Sequence, residues 1–439
     1  MKNSFRLLIA APSVEGWWNH RTVLAPPRAL PLLAGLTPPH IHVELVDENI
    51  REVDLTKRYD AVALSVMTPS APRAYALADH FRSHGIPVIM GGIHPTVMPD
   101  EAAEHADAIG IREAENYWPE IISDLEAGRL KSRYQAPFHD MKGLPRPRIE
   151  LLEGRRYLTT RVIETTRGCP YDCAYCSVST VAGKRYRQRP IGEVVEEIRR
   201  LREYDPRWIG FTDDNIAGDH VRAKKLFEAL IPFGIRWAGQ ADVKVSTDKE
   251  LLTLAYRSGC AGLFMGIESA NKENYEEIGK TPNLQVDSGE AIRNVQRAGI
   301  AVIGSFILGL DRDGLSIFDE TYEFARKYNL AAAQFSVLTP YPGTRLRKQM
   351  EREERILTDD WAKYTFSDVV FQPKNMTPEA LKLGQRQTYL HFYSWSSIFS
   401  RCLLLPVSPV NRLLAFQVNR SYRSIQFKQG LTGGLPGSK

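Results

Sequence analysis

The sequence predicts an α/β protein built from two tandem units: a doubly wound parallel sheet, then an open barrel of six βα units, with a helical C-terminal region. Three observations carry this reading. Short aliphatic and β-branched runs alternate with helix-length amphipathic stretches between residues 5 and 338. One polar, proline-punctuated stretch, 131–156, interrupts the alternation. After Pro340 to Gly343 the strand pattern stops and helical periodicity replaces it. The expected units are therefore 1–130, a linker at 131–156, 157–344 and a helical region at 345–439. With 439 residues, 43% of them hydrophobic, the chain can bury two or three cores.

In the first unit, strands are expected at 5–11, 42–47, 59–67, 86–90 and 106–110, with helices from Thr68 to His84 and from Tyr117 to Gly128. Ligands of such sheets sit beyond the carboxyl ends of the strands. There the sequence places Pro12 and Ser13, then Asp47, Glu48 and Asn49, then Thr68 and Ser70, then Gly91, Gly92 and His94. In the second unit the strands are expected at 157–164, 207–212, 235–240, 262–268, 300–308 and 331–338, with helices at 218–231, 248–258, 286–298 and 316–328. Carboxylates or amides end nearly all of them: Asp213 and Asp214, Gln240 and Asp242, Glu268, Asp311. In a parallel barrel those ends share one rim, where substrate-facing groups are needed. In the last unit 345–356 reads as a charged helix, and Thr377 caps a single helix running to Leu405. A further helix follows Pro409, and the last nine residues read as loose.

Chemistry concentrates between the strand at 157–164 and the helix opened by Pro190. Cys169, Cys173 and Cys176, three of the five cysteines, fall within eight residues as C-x3-C-x2-C. Three thiolates without a fourth make a poor closed zinc site. An iron–sulfur cluster bound by three leaves one iron open to another ligand. The clustering also argues against a disulfide scaffold and for a reducing compartment, with Cys260 and Cys402 as packing residues. No run is long enough for a signal peptide or a membrane span, so a cytoplasmic location is expected.

The motif, with Tyr175 at its aromatic position, resembles that of the radical S-adenosylmethionine (SAM) enzymes. The resemblance implies that the three cysteines hold a [4Fe–4S] cluster whose fourth iron is chelated by SAM. One electron would then cleave SAM to a 5′-deoxyadenosyl radical, drawn from a donor such as a flavodoxin or ferredoxin. It also implies that the Asp213, Asp214 and Asn215 loop flanks the ammonium of SAM and that Gln240 lies on the same rim. Glu268 would meet the ribose, and Gly304 and Gly309 would let backbone approach the adenine. Tyr341 and Trp237 are candidate aromatics of the site.

Coupled to that motif, the first unit resembles the cobalamin-binding domain of B12-dependent radical enzymes, through Leu45 to Asn49, Gly91 to Thr96, and Glu113 to Glu115 before Trp118. The D-x-H-x-x-G pattern that supplies an axial histidine is absent, so cobalamin is expected base-off and without a histidine ligand. His94 is read as shaping its loop. The expected activity is methylation of an unactivated carbon in a small-molecule or lipid substrate. Alternatives are a B12-dependent cyclase or rearranging enzyme of tetrapyrrole or lipid biosynthesis, a radical enzyme whose first domain is only an interaction module, and a non-catalytic iron–sulfur redox protein. No nucleic-acid module accompanies the motifs. Beyond Glu379 lie eight Lys or Arg and no acid, against a net charge of +5 for the whole chain. That tail is read as a cap on the open barrel, with docking on anionic lipid as the other reading.

Overall fold

The computed structural model describes residues 5–14, 25–152, 157, 159–201 and 208–432, with side chains as far as 424. The linker end at 153–156, residue 207 and the final residues 433–439 lie outside these.

The first sheet contains β1 (Arg6–Ala11), β2 (His42–Asp47), β3 (Ala61–Ser65), β4 (Val88–Gly91), β5 (Ala108–Ile111) and β6 (Arg133–Gln135), all parallel in the order 2-1-3-4-5-6. Its central strands β1, β3, β4 and β5 are buried on both faces, which is why they read as continuous aliphatic runs rather than alternating ones. β6 was not expected. Three residues of the stretch read as linker pair with β5, a segment too short and polar to signal a strand.

In the second half, β7 (Val162–Ile163) leads into a small antiparallel hairpin, β8 (Thr166–Arg167) with β9 (Arg187–Gln188). It is followed by β10 (Trp208–Phe211), β11 (Arg236–Ala241), β12 (Cys260–Glu268), β13 (Ala301–Leu308) and β14 (Ala332–Val337). The sheet order is 14-13-12-11-10-7, all parallel, and β14 does not close onto β7. The barrel is thus open. Asp219, Asp248 and Asp287 start three of its helices by accepting from the backbone N–H groups of Arg222, Leu251 and Glu290.

The C-terminal region covers the free edge at β14. Tyr389 Oη accepts from the Phe335 N–H at 3.0 Å, and Tyr393 Oη accepts from the Ala333 N–H at 3.1 Å while donating to the Ala333 carbonyl at 2.7 Å. Gln385 Nε2 donates to the Phe335 carbonyl at 2.7 Å. Side chains therefore take the place of a neighbouring strand and blunt an edge that would otherwise pair with other chains. The single helix expected up to Leu405 is two, Pro378–Phe392 and Trp395–Leu404. Ser394 breaks it by turning extended and accepting from the Ser397 N–H. Trp361 and Tyr364 reach the other way, into the core of the first domain, where the Trp361 indole donates to Glu101 at 2.8 Å.

Candidate functional site

The cysteine loop is fixed at both ends. The β8–β9 hairpin closes it, the Ala174 N–H donates to the Ile278 carbonyl, and the Ala174 carbonyl accepts from the Leu346 N–H, each at 2.9 Å. Gly168 opens it at φ +81°, where a Cβ would lie 2.4 Å from the Arg185 carbonyl oxygen. Only glycine fits that turn.

Cys169 lines a cavity of about 420 Å³ at the carboxyl ends of the barrel strands. With it stand Tyr171, Tyr175, Asp214, Asn215, Gln240 and Asp242. Strand alternation then decides which residues face inward: Phe264, Gly266 and Glu268 from β12, Ser305 and Ile307 from β13, Gln334 and Ser336 from β14. Tyr341 and Phe366 complete the wall. Glu268 ends β12 at a bulge with φ +66°, a left-handed conformation unusual for a non-glycine residue and typical of functional sites.

Lys280, which sequence reasoning missed, pairs with Glu268 at 2.5 Å inside this cavity. No motif marks it, because it comes from the helical segment after β12. Burial pushes the Cys176 thiol up to about 12 and also raises Cys169 and Cys173, with the Lys280 ammonium opposing the rise at all three. Metal binding would replace those protons. Among the described residues no three Cys, His, Asp or Glu side chains converge as a single-ion site requires. A cubane takes one thiolate per iron, so its ligands need not converge. Three soft donors on one pinned loop, beside a buried cation and an open cavity, fit such a cluster.

Several expected contacts lie elsewhere. Asp213 is wholly buried and does not line the cavity; its carboxylate accepts from the Thr165 and Thr166 hydroxyls at 2.7 and 2.6 Å and from the Thr165 N–H. It fastens the strand ahead of the loop. Asp214 faces the cavity instead, and burial, with Glu164 and Asp213 nearby, raises it to about 6. Gly304 falls on the opposite phase of β13, against Leu330 and Phe306, and Gly309 packs against Leu381. Trp237 is a core residue whose indole donates to Ser258. Asp311 is held by Arg355 at 2.7 Å and by Lys374 at 2.5 Å.

A second cavity, about 260 Å³, lies over the ends of β3, β4 and β5. Gly91, Gly92 and Gly110 form its floor beside Ser65, Leu64 and Met90, while Arg28, Glu115, Glu164 and Arg167 form its polar rim. Gly92 is at φ +105°, and a Cβ there would meet the Val66 backbone at 2.8 Å. Two nitrogens of the Arg28 guanidinium, Nε and Nη2, are buried and have no hydrogen-bond partner among the described residues. Apolar walls, a glycine floor and two guanidinium nitrogens left over from the Arg28–Glu164 pair fit a flat base carrying a phosphate. Of the other loop residues singled out, Asp47 accepts from the Tyr157 hydroxyl at 3.0 Å and from Asn49 at 2.8 Å, and Ser70 bonds the backbone of Met67. The Ser13 N–H donates to Glu48, and the buried Pro12 precedes it. Thr68 contacts His94, which is fully buried and also bonded to the Tyr75 hydroxyl at 2.9 Å. None of these residues lines the second cavity.

An ion-pair clamp joins the domains between the two cavities. Arg167 pairs with Glu115 at 2.6 Å and Glu164 at 2.8 Å, Arg187 grips Glu113 through both terminal nitrogens at 2.5 and 2.7 Å, and Arg28 pairs with Glu164.

Comparison with known proteins agrees with this architecture. Residues 163–325 match the radical SAM superfamily and residues 25–122 the B12 binding domain. Bacteriochlorophyllide d C-8(2)-methyltransferase of Chlorobaculum tepidum is 30% identical, covering 93% of this chain and 92% of its own. The hopanoid C-2 methylase of Rhodopseudomonas palustris is 27% identical over 76% of this chain and 66% of its own. An anaerobic magnesium-protoporphyrin IX monomethyl ester cyclase of Rubrivivax gelatinosus is 25% identical over 80% and 68%. Among solved structures, the radical SAM methyltransferase TsrM from Kitasatospora setae superposes with a TM-score of 0.71 at 16% identity, covering 98% of this chain and 99% of that one. The chain is a radical SAM enzyme with an N-terminal B12-binding domain. It belongs to the cobalamin-dependent radical SAM family, which includes C-methyltransferases and a cyclase.

Proposed function

We propose that this enzyme methylates an unactivated carbon of an apolar small-molecule or lipid substrate. The observation that carries the reading is the adjacency of the two cavities: Arg167 lines one and Cys169 the other, with only Gly168 between them. When bound, the cluster would supply the electron that cleaves SAM, and methylcobalamin the methyl group.

The chain's own residues would bind, orient and shield. Cys169, Cys173 and Cys176 hold the cluster. Asp214, Asn215, Gln240 and Asp242 are acceptors for the ammonium and hydroxyls of SAM, and Glu268 with Lys280 sets the charge beside its sulfonium end. The apolar face opposite, made by Phe264, Ile307, Leu338, Tyr341 and Phe366, excludes water and orients a hydrophobic substrate. In the first domain the second cavity would take the nucleotide tail of cobalamin, and Arg28 Nε and Nη2, unpartnered among the described residues, would donate to its phosphate. Its volume admits a group of that size, not the whole cofactor. Methylation is favoured over cyclisation because the relative at 30% identity, matched over nearly the whole of both chains, is a methyltransferase.

The test is anaerobic reconstitution with iron, sulfide and methylcobalamin, followed by metal counting and product analysis under reduction. About four irons and one cobalt per chain are expected, with S-adenosylhomocysteine and 5′-deoxyadenosine both formed. Iron without cobalt would remove methylcobalamin. 5′-Deoxyadenosine with an unmethylated product would favour the cyclase class.

A further inference from the structure

The helices Trp395–Leu404 and Pro409–Thr432 form a hairpin with two different faces. On the inner face Ile398, Arg401, Cys402 and Leu405 are buried, and Arg401 donates to the Leu330 carbonyl beside β14 at 2.8 Å. That face is the barrel cap already described. The outer face repeats every fourth residue: Trp395, Phe399 and Leu403 are 43, 58 and 73% exposed. Leu404, Val410 and Leu413, each more than half exposed, carry it onto the second helix. The rings of Trp395, Phe399 and Phe416 lie side by side, tilted by 31–37° with centroids 5.6–6.4 Å apart, and form one ledge.

A helix apolar on both faces is normally buried on both, and a contiguous apolar surface on a folded protein marks an interaction site. Charge indicates the occupant. No acid follows Glu379 in the sequence. Arg420 is exposed seven residues beyond Leu413, on the same helical stripe, and Arg423 lies over the Trp395 ring at 5.0 Å. An aromatic–aliphatic ledge with Arg420 and Arg423 beside it, on a stretch of chain that carries no acid, matches an anionic lipid surface. No helix among the described residues is long and apolar enough to cross a membrane, so the contact is interfacial.

We infer that this hairpin docks the enzyme on the surface of an anionic bilayer, its outward side chains entering the headgroup–acyl boundary and the exposed Arg420 engaging lipid phosphates. The inference stands on the surface alone and is independent of the catalytic reading.

It is tested by flotation of the reconstituted full-length enzyme with vesicles of phosphatidylcholine, alone or with about 30% phosphatidylglycerol. Flotation with the anionic vesicles is expected, weaker with phosphatidylcholine alone and weaker at high salt. The exposed pair Phe399→Ser with Leu403→Ser should lower vesicle binding roughly a hundredfold, as two large apolar side chains lose their burial. Thermal melting and iron content should be unchanged. Failure of the wild type to float with anionic vesicles overturns the inference, as does flotation that survives the double substitution. A dimer in light scattering that the same substitutions dissolve, with no vesicle binding, would assign the face to a second copy and equally overturn it.

Discussion

Replacing Glu115 by glutamine tests the clamp between the domains. Glu115 and Arg167 are both nearly buried and 2.6 Å apart. Burial alone would raise the Glu115 carboxyl, but the charge of Arg167 beside it outweighs that and holds the group below its ordinary value of 4.5. Glutamine keeps the volume and one acceptor oxygen while removing the charge. Arg167 would still have Glu164 at 2.8 Å and Glu113 at 3.6 Å. The cost is therefore smaller than the 3–5 kcal/mol of stranding a buried charge, about 2 kcal/mol. The pH dependence has a definite sign. A carboxylate whose folded value is depressed contributes stability that is complete above its unfolded value and is lost as pH falls through its folded one. The wild type should thus lose this contribution in acid below about 4.5, and Glu115→Gln should lack that part of the slope. Urea unfolding of the apo chain, followed by circular dichroism at neutral and acid pH, measures both quantities. Wild-type stability together with an unchanged acid slope would refute the clamp.

Other substitutions separate the remaining parts. Gly168→Ala forces a Cβ against the Arg185 carbonyl at φ +81°, so the loop must shift, and reconstitution should fall well short of about four irons per chain. Tyr389→Phe strands the Phe335 N–H on the edge of β14 and should cost about 1–3 kcal/mol in urea unfolding, with no change in iron content. If Asp214 receives the ammonium of SAM, binding should strengthen as pH rises through about 6, because the carboxyl must ionise to accept it. In Asp214→Asn, equilibrium dialysis should find weaker binding and no such rise; an unchanged pH profile would assign Asp214 another role.

Much of this architecture is legible in the chain, for local reasons. Strands buried on both faces announce themselves as aliphatic runs, and three cysteines with fixed spacing need no tertiary information to be seen as a unit. What escaped notice depends on phase or distance. Strand periodicity alone does not say which of two alternating residues faces the cavity, so the sequence offers Gly304 as readily as Ser305 and Ile307, which occupy the position. Neighbouring carboxylates are equally ambiguous: Asp213 and Asp214 differ only in which one the turn sends inward to the threonines. Lys280 and the β8–β9 hairpin required knowing what packs over the loop. The break at Ser394 was hidden because aromatic residues continue at helical spacing through it.

The clamp and the loop share a backbone, and that has a mechanical consequence. Arg167 ends β8, Gly168 is the turn and Cys169 is the first thiol, so the segment has no slack that could let one domain move without the other. β9 closes the same loop from its far end and carries Arg187, whose guanidinium is spent on Glu113 of the first domain. Both ends of the cysteine loop are therefore tied to the Glu113–Glu115 turn that leads from the second cavity. Disturbing that turn should alter the occupancy of both cavities together, whereas disturbing the β14 cap should alter neither. Were the domains merely tethered by the linker, the clamp substitution would lower cobalt content and leave iron at its wild-type level.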